Sequence, residues 1–388
     1  MENKHILHTY NKFPITLEYG EGAYVYDTSG KKYLDFTAGI AVSSLGYGNV
    51  EFNTALKSQI DKMVHTSNLY HNETSSKAGE DLARVSGMEA IFFCNSGTEA
   101  IEGALKTARK YAYQKGNGRT SFIAMQDSFH GRSLGALSVT GREQYRTPFE
   151  PLLPQVHFAE YNNLESVEKL VSEEVCAIIL EPLQGEGGIH LGNVEFLQGV
   201  RKICDKNEIL LIFDEIQCGM GRSGSMFLWQ QFGVQPDILA MAKAIGNGMP
   251  VGAFGVTKNV MENSLVAGDH GTTYGGNPLV CVAVSKTIEI FEREQLVENA
   301  KEVGIYLAEE LEKIVEEFDC VQERRGLGLI QGLAFCVEIG PIITKALEKG
   351  LLIIGAGNNV IRMVPPLIIT KRQVDEMVEV LREVLLVA

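Results

Sequence analysis

The chain has 388 residues, 45% of them hydrophobic, enough for one large domain and a smaller one. Its 35 Lys and Arg against 49 Asp and Glu give a net charge of −14, which argues against nucleic acid or an anionic membrane surface as partner. No apolar run approaches the roughly 20 residues of a membrane span, and the opening Met1–His8 lacks the apolar core of a signal peptide, so a cytoplasmic protein is expected. Cys94, Cys176, Cys204, Cys218, Cys281, Cys320 and Cys336 are scattered and odd in number, which fits buried free thiols in a reducing compartment. The histidines show no metal-ligand spacing, so no metal site is expected.

In chain order, Ala23-Tyr-Val-Tyr26 and Tyr33-Leu-Asp-Phe36 flank Ser29-Gly-Lys-Lys32, a hairpin with its turn signal. Ala90-Ile-Phe-Phe-Cys94 reads as a strand, Thr98 to Tyr113 as a helix and Ser121-Phe-Ile-Ala-Met125 as a strand. Val175-Cys-Ala-Ile-Ile-Leu180 is a strand with no polar face, followed by a helix over Val194 to Asn207 and a strand over Ile209 to Phe213. Pro236-Asp-Ile-Leu-Ala-Met-Ala242 reads as a turn and a buried strand. Unbroken apolar strands alternating with helices predict an α/β fold with a mostly parallel sheet covered on both faces. After Pro278 the pattern changes. Leu279 to Glu317 reads as nearly continuous helix, followed by strands over Leu329 to Glu338, Leu351 to Ile354 and Val360 to Val364, and a helix over Lys371 to Val387. Gly355-Ala-Gly357 reads as a turn. Three segments are expected. Residues 1–45 pack with the small domain, 46–278 form the large domain, and 279–388 form a linking helix and a small α+β domain.

Two strand ends carry chemistry. Lys243 follows the buried strand inside Met241-Ala-Lys-Ala-Ile-Gly-Asn-Gly-Met-Pro-Val-Gly252, and burial lowers an amine's pKa and makes it a nucleophile toward aldehydes. Asp214 ends the strand in Leu210-Leu-Ile-Phe-Asp-Glu-Ile-Gln217. A lysine that condenses with the cofactor aldehyde and an aspartate that keeps the pyridine nitrogen protonated are what pyridoxal 5′-phosphate chemistry needs. Asn95-Ser-Gly-Thr-Glu-Ala100 opens a helix after a strand. Alone it reads first as a capping box; with Lys243 and Asp214 in the same chain, the reading shifts to an anion cradle at a helix N-terminus.

Taken together, Ser96-Gly-Thr-Glu-Ala100, Phe129-His-Gly-Arg132, Glu181-Pro-Leu-Gln-Gly-Glu-Gly-Gly188, Asp214-Glu-Ile-Gln217, Ala242-Lys-Ala-Ile-Gly-Asn-Gly248 and His270-Gly-Thr-Thr-Tyr-Gly-Gly-Asn-Pro278 make the chain resemble the class III (ornithine/acetylornithine-type) aminotransferases of fold type I. The resemblance runs from Phe36 to Pro366. It implies that Lys243 carries the cofactor and shuttles the proton, and that Asp214 pairs with the pyridinium nitrogen. Gln217 would hydrogen-bond the ring's phenolic oxygen. Ile216 and Phe129 would cover the two ring faces, with Glu215 among the cofactor-binding residues. Gly97 and Thr98 would hold the phosphate, and Thr273 would reach a partner subunit's phosphate, which implies a homodimer with shared active sites.

Arg132, with Thr272 beside it, would take the α-carboxylate of an N-acetylornithine-like amine, and Arg362 that of glutamate or 2-oxoglutarate, because a guanidinium holds a carboxylate through two parallel hydrogen bonds. Glu186 would pair with Arg362 while the first substrate is bound and release it for the second. The resemblance thus implies transfer of a terminal amino group to 2-oxoglutarate, as in arginine biosynthesis. Ornithine, succinyl-diaminopimelate and 4-aminobutyrate are alternative donors. An aminomutase would have no use for the Glu186–Arg362 gate. The chain departs from the family at Gly46-Tyr-Gly-Asn-Val50, where Gly-His-x-His-Pro is usual.

Overall fold

The computed structural model describes residues 4–386. Its central sheet has seven strands in the order Ala90–Cys94, Gly252–Val256, Ile238–Met241, Leu210–Asp214, Val175–Leu180, Ser121–Met125, Val156–Ala159. Val175–Leu180 and Leu210–Asp214 are buried along their whole length, as unbroken apolar runs in a two-sided sheet must be. The pairings are parallel except those made by Gly252–Val256, which runs against both neighbours. That strand lies outside the sequence reading. Its antiparallel course follows from a short connection: residues 242–251 cannot supply the roughly dozen residues of a parallel crossover, so the chain turns back beside the strand it has just left. The loop carrying Lys243 is therefore held at both ends by adjacent strands. Val156–Ala159, also unread in the sequence, closes the far edge.

Helix Gly97–Gln114 buries Ala100, Ile101, Ala104, Leu105 and Ala108, a helical stripe of mostly small side chains, against this sheet. The helical reading of Leu279 to Glu317 needs correction, because two helices, Pro278–Arg293 and Leu296–Glu317, meet at Gln295 with φ +52. The first packs on helices Val50–Lys62 and Glu73–Ser86. The second packs on strand Val321–Leu327 and helix Lys371–Leu385. One straight rod could not bury both apolar faces.

The C-terminal sheet runs Val321–Leu327, Ile330–Phe335, Val360–Met363, Ile354–Ala356, all antiparallel. Gly355 lies within its last strand, so the turn expected over Gly355–Gly357 is confined to the residues from Gly357 onward. The hairpin Tyr24–Asp27 and Lys32–Asp35 forms as expected, and Leu351–Leu352 adds to it in parallel, with Phe36 N donating to Leu352 O at 2.9 Å. The N-terminal strands are thus stitched to the C-terminal segment. Tyr47, in the segment Gly46–Val50, donates its hydroxyl to Asp35 Oδ2 at 2.6 Å in this seam. No described helix is long and apolar enough to cross a membrane.

Candidate active site

The carboxyl ends of the central strands converge on a cavity of about 440 Å³ whose wall includes Gly97, Thr98, Phe129, Arg132, Glu186, Asp214, Ile216, Gln217 and Lys243. These residues are far apart in sequence, and the sheet order brings them together.

Lys243 enters directly from the buried strand Ile238–Met241 and adopts φ +51, a left-handed conformation that costs a non-glycine residue about 1 kcal/mol or more. Among the described residues no acceptor takes a hydrogen bond from its Nζ. Burial drives its pKa down to about 8. Glu186 opposes this shift and Arg362 adds to it. Roughly a tenth of this amine is therefore neutral at pH 7, far more than of an ordinary lysine, and most of it is neutral above pH 8.

Asp214 is buried and doubly held. Its Oδ2 lies 2.8 Å from His130 Nδ1, and its Oδ1 accepts from Ile216 N at 3.0 Å. Glu181 is buried beside this pair and accepts from Phe129 N at 3.0 Å and Gly185 N at 3.2 Å. Burial pushes its carboxyl up to about 7, against the pull of His130 and together with the push of Asp214. His130 and Glu181 escaped the sequence reading as site residues, although both stand inside quoted motifs.

At the helix start, Ser96 is the N-cap of the helix Gly97–Gln114. Ser96 Oγ accepts from Glu99 N at 3.3 Å, while Glu99 Oε2 accepts from Asn95 N at 2.6 Å, so the glutamate reaches back to the residue before the cap and the expected capping box is half formed. The amides of Gly97 and Thr98 belong to the first turn and have no intrahelical partner by geometry, so they suit an anion. Thr98 Oγ1 lies 2.7 Å from Ser133 Oγ.

The arginines differ. Arg362 is buried. Its Nη1 donates to Glu186 Oε1 at 2.6 Å, Gln217 Oε1 at 3.1 Å and Gly185 O at 3.4 Å. Burial works to raise the Glu186 pKa, but Arg362 outweighs it and the carboxyl lies below its ordinary range. Gln217 also donates from Nε2 to Glu186 Oε1 at 3.3 Å, closing a three-membered network. Arg132 is exposed on the cavity wall, with no hydrogen bond or ion pair among the described residues.

Three of the expected site residues lie elsewhere. The Glu215 side chain turns away from the cavity and accepts from Leu228 N and Trp229 N, capping a short helix. Burial holds its carboxyl up at about 8. Thr272 and Thr273 line a separate cavity of about 640 Å³ with Asn68, Leu69 and Phe93. Asn95 Nδ2 links the two cavities by donating to Thr272 Oγ1 at 3.2 Å. The strand Ala90–Cys94 stands at the sheet edge, and residues 270–276 cross its outer side, which keeps Thr273 out of this chain's own catalytic cavity. No cluster of three or more possible metal ligands occurs among the described residues.

This architecture is that of the fold type I pyridoxal-phosphate-dependent transferases. The chain belongs to the aminotransferase class-III family, whose model matches residues 6–385, and it is an aminotransferase. It is 46% identical to an acetylornithine aminotransferase of Archaeoglobus fulgidus, with 98% of each chain covered. It is 45% identical to one of Caldanaerobacter subterraneus, covering 99% of this chain and 98% of that one. Among solved structures, the ornithine aminotransferase of Toxoplasma gondii superposes with a TM-score of 0.95 at 28% identity, covering 99% of this chain and 93% of that one. The acetylornithine aminotransferase of Elizabethkingia anophelis gives 0.88 at 30%, covering 99% and 97%.

Proposed function

We propose that the protein moves the terminal amino group of N-acetylornithine to 2-oxoglutarate, giving N-acetylglutamate 5-semialdehyde and glutamate, with pyridoxal 5′-phosphate as cofactor. The observation that carries this reading is the pair of unlike arginines around Lys243, one unpaired at Arg132 and one masked by Glu186 at Arg362. Two substrates that offer different carbons to one amine need two carboxylate clamps that do not compete. The full-length identity to acetylornithine aminotransferases favours the acetylated donor.

The cavity fits the cofactor. It offers a lysine with a lowered pKa, a buried carboxylate braced by an imidazole, and a helix N-terminus for a phosphate. A Cβ on Gly97 would come within 2.9 Å of Ile216 Cδ1, so glycine keeps that cradle open. Pyridoxal phosphate, when bound, supplies an aldehyde that accepts the amino group and a ring that takes up electrons. Lys243 would hold the cofactor and, once released, its Nζ would carry the proton between the substrate carbon and the cofactor's aldehyde carbon. Asp214, oriented by His130, keeps the ring nitrogen protonated. Gly97 and Thr98 take the phosphate, Gln217 the ring oxygen, and Phe129 and Ile216 exclude water from the ring faces. Arg132 binds the α-carboxylate of the amine donor, while Glu186 neutralises Arg362. Glu186 then yields Arg362 to the carboxylate of 2-oxoglutarate.

The working unit in this reading is a cytoplasmic homodimer, with Thr273 and Thr272 serving the partner's site. In support, Leu69, Tyr70 and Tyr274 are 89%, 71% and 63% exposed around the second cavity, an apolar surface suited to a second copy.

The test is single turnover with the visible cofactor band as readout, using N-acetylornithine, ornithine, succinyl-diaminopimelate and 4-aminobutyrate. Fastest conversion by N-acetylornithine supports the reading. Conversion only by one of the others reassigns the substrate.

A further inference from the structure

We infer that Tyr145 is a positioning residue that sets the plane of the Arg132 guanidinium and so determines how tightly the amine donor is held. The inference rests on the reading of Arg132 as the donor's carboxylate clamp. Arg132 Cζ lies 3.9 Å from the centre of the Tyr145 ring and 5.3 Å from that of Phe129. The two rings stand nearly perpendicular, at 87°, with centres 6.4 Å apart. The guanidinium thus sits in a corner of two aromatic walls. Among the described residues no carboxylate, carbonyl or hydroxyl holds it.

That distinguishes it from Arg362, whose orientation comes from Glu186, Gln217 and Gly185. The acceptors around Arg362 crowd its Nη1, which a substrate carboxylate would have to win from Glu186. An arginine stacked on a ring face keeps its N–H groups free at its rim, where a carboxylate can take two in parallel. Stacking therefore preorganises Arg132 without occupying it, and less side-chain freedom remains to be lost on binding.

Tyr145 is itself fixed. It lies in the short helix Glu143–Arg146, and its N donates to Arg142 O at 3.0 Å. Arg142 donates from Nη2 to Glu186 O, and its Cζ is 5.8 Å from the Tyr145 ring centre. The ring under the first clamp is thereby tied to the loop that carries the mask of the second. The Tyr145 hydroxyl has no partner among the described residues, so the ring, not the hydroxyl, should matter.

The experiment compares the holoenzyme with Tyr145→Leu, Tyr145→Phe and Arg132→Lys, measuring half-saturation by N-acetylornithine and by 2-oxoglutarate in separate half-reactions. Tyr145→Leu should raise half-saturation by the amine donor roughly two- to fivefold, as loss of a cation–π contact at an exposed guanidinium predicts. Saturation by 2-oxoglutarate should not move, and Tyr145→Phe should behave as the parent. Arg132→Lys should weaken the donor at least as much. If Arg132→Lys weakens the donor and Tyr145→Leu does not, the role of Tyr145 is overturned while the Arg132 reading stands. If neither variant weakens it, the Arg132 reading fails and takes the inference with it. An equal loss in both half-reactions for Tyr145→Leu, or a Tyr145→Phe as weak as Tyr145→Leu, also overturns the inference.

Discussion

Replacing Glu186 by Ala tests whether the second arginine is gated. The pair it breaks is short, 2.6 Å, with Arg362 at 2% and Glu186 at 27% side-chain exposure. Fully buried pairs lose about 3–5 kcal/mol when one partner is removed. Water reaches Glu186, so the lower figure for a hydrogen bond to a charged group, about 1.5 kcal/mol, is the better guide. In the parent, a glutamate carboxylate must displace Glu186 from Arg362 and so meets that cost. Removing Glu186 should therefore lower half-saturation by glutamate about tenfold relative to N-acetylornithine, since about 1.4 kcal/mol is one decade. N-acetylornithine should gain nothing, because an unmasked Arg362 attracts its carboxylate into an unproductive pose. Stopped-flow records of the cofactor band with each donor alone measure the two half-reactions separately. Glu186→Gln, which keeps the shape and loses the charge, should shift selectivity in the same direction. Equal changes in both half-reactions would refute the gate and leave a static ion pair.

Lys243 titrates near 8 instead of the ordinary 10.5, so its amine is protonated and unreactive below that pH and neutral above it. Capture of pyridoxal phosphate by the apoprotein should accelerate from about pH 6 to pH 8 and level off near pH 9. A rate still climbing toward pH 10.5 would contradict the depressed pKa. Gly131 sits at φ +140, and a Cβ there would come within 2.4 Å of Thr98 Oγ1. Gly131→Ala should push Thr98 off the helix start and weaken cofactor binding by roughly 10- to 100-fold, as about 1–3 kcal/mol of overpacking implies. Fluorescence titration with the cofactor measures this, and an unchanged Kd would show that the phosphate cradle lies elsewhere.

Local signals made much of the large sheet legible in the sequence. Val175–Leu180 and Leu210–Asp214 are unbroken apolar runs, and only a strand buried on both faces uses such a run. Lys243 and Asp214 stood out because each breaks such a pattern at its carboxyl end. Gly252–Val256 did not, because its glycines dilute the apolar signal and its direction depends on a loop length. The bend at Gln295 is set by what two helix faces bury, which no helical periodicity records. His130 was hidden because its bond to Asp214 joins distant segments. Glu181 was hidden because a carboxyl raised toward 7 is a property of surroundings that only the folded chain assembles. Glu215 illustrates the opposite error. Adjacency to Asp214 in sequence suggested a shared role, yet successive side chains leave a strand end in different directions, and this one caps the helix at Trp229. Thr272 and Thr273 could be placed only once the sheet edge was known.

The central claim is that one lysine carries the cofactor. Borohydride reduction of the purified protein, followed by proteolysis and mass mapping, should place a pyridoxyl label on the peptide containing Lys243 and should leave a Lys243→Ala variant unlabelled. A label on another lysine, or none on protein that retains its visible band, would contradict it.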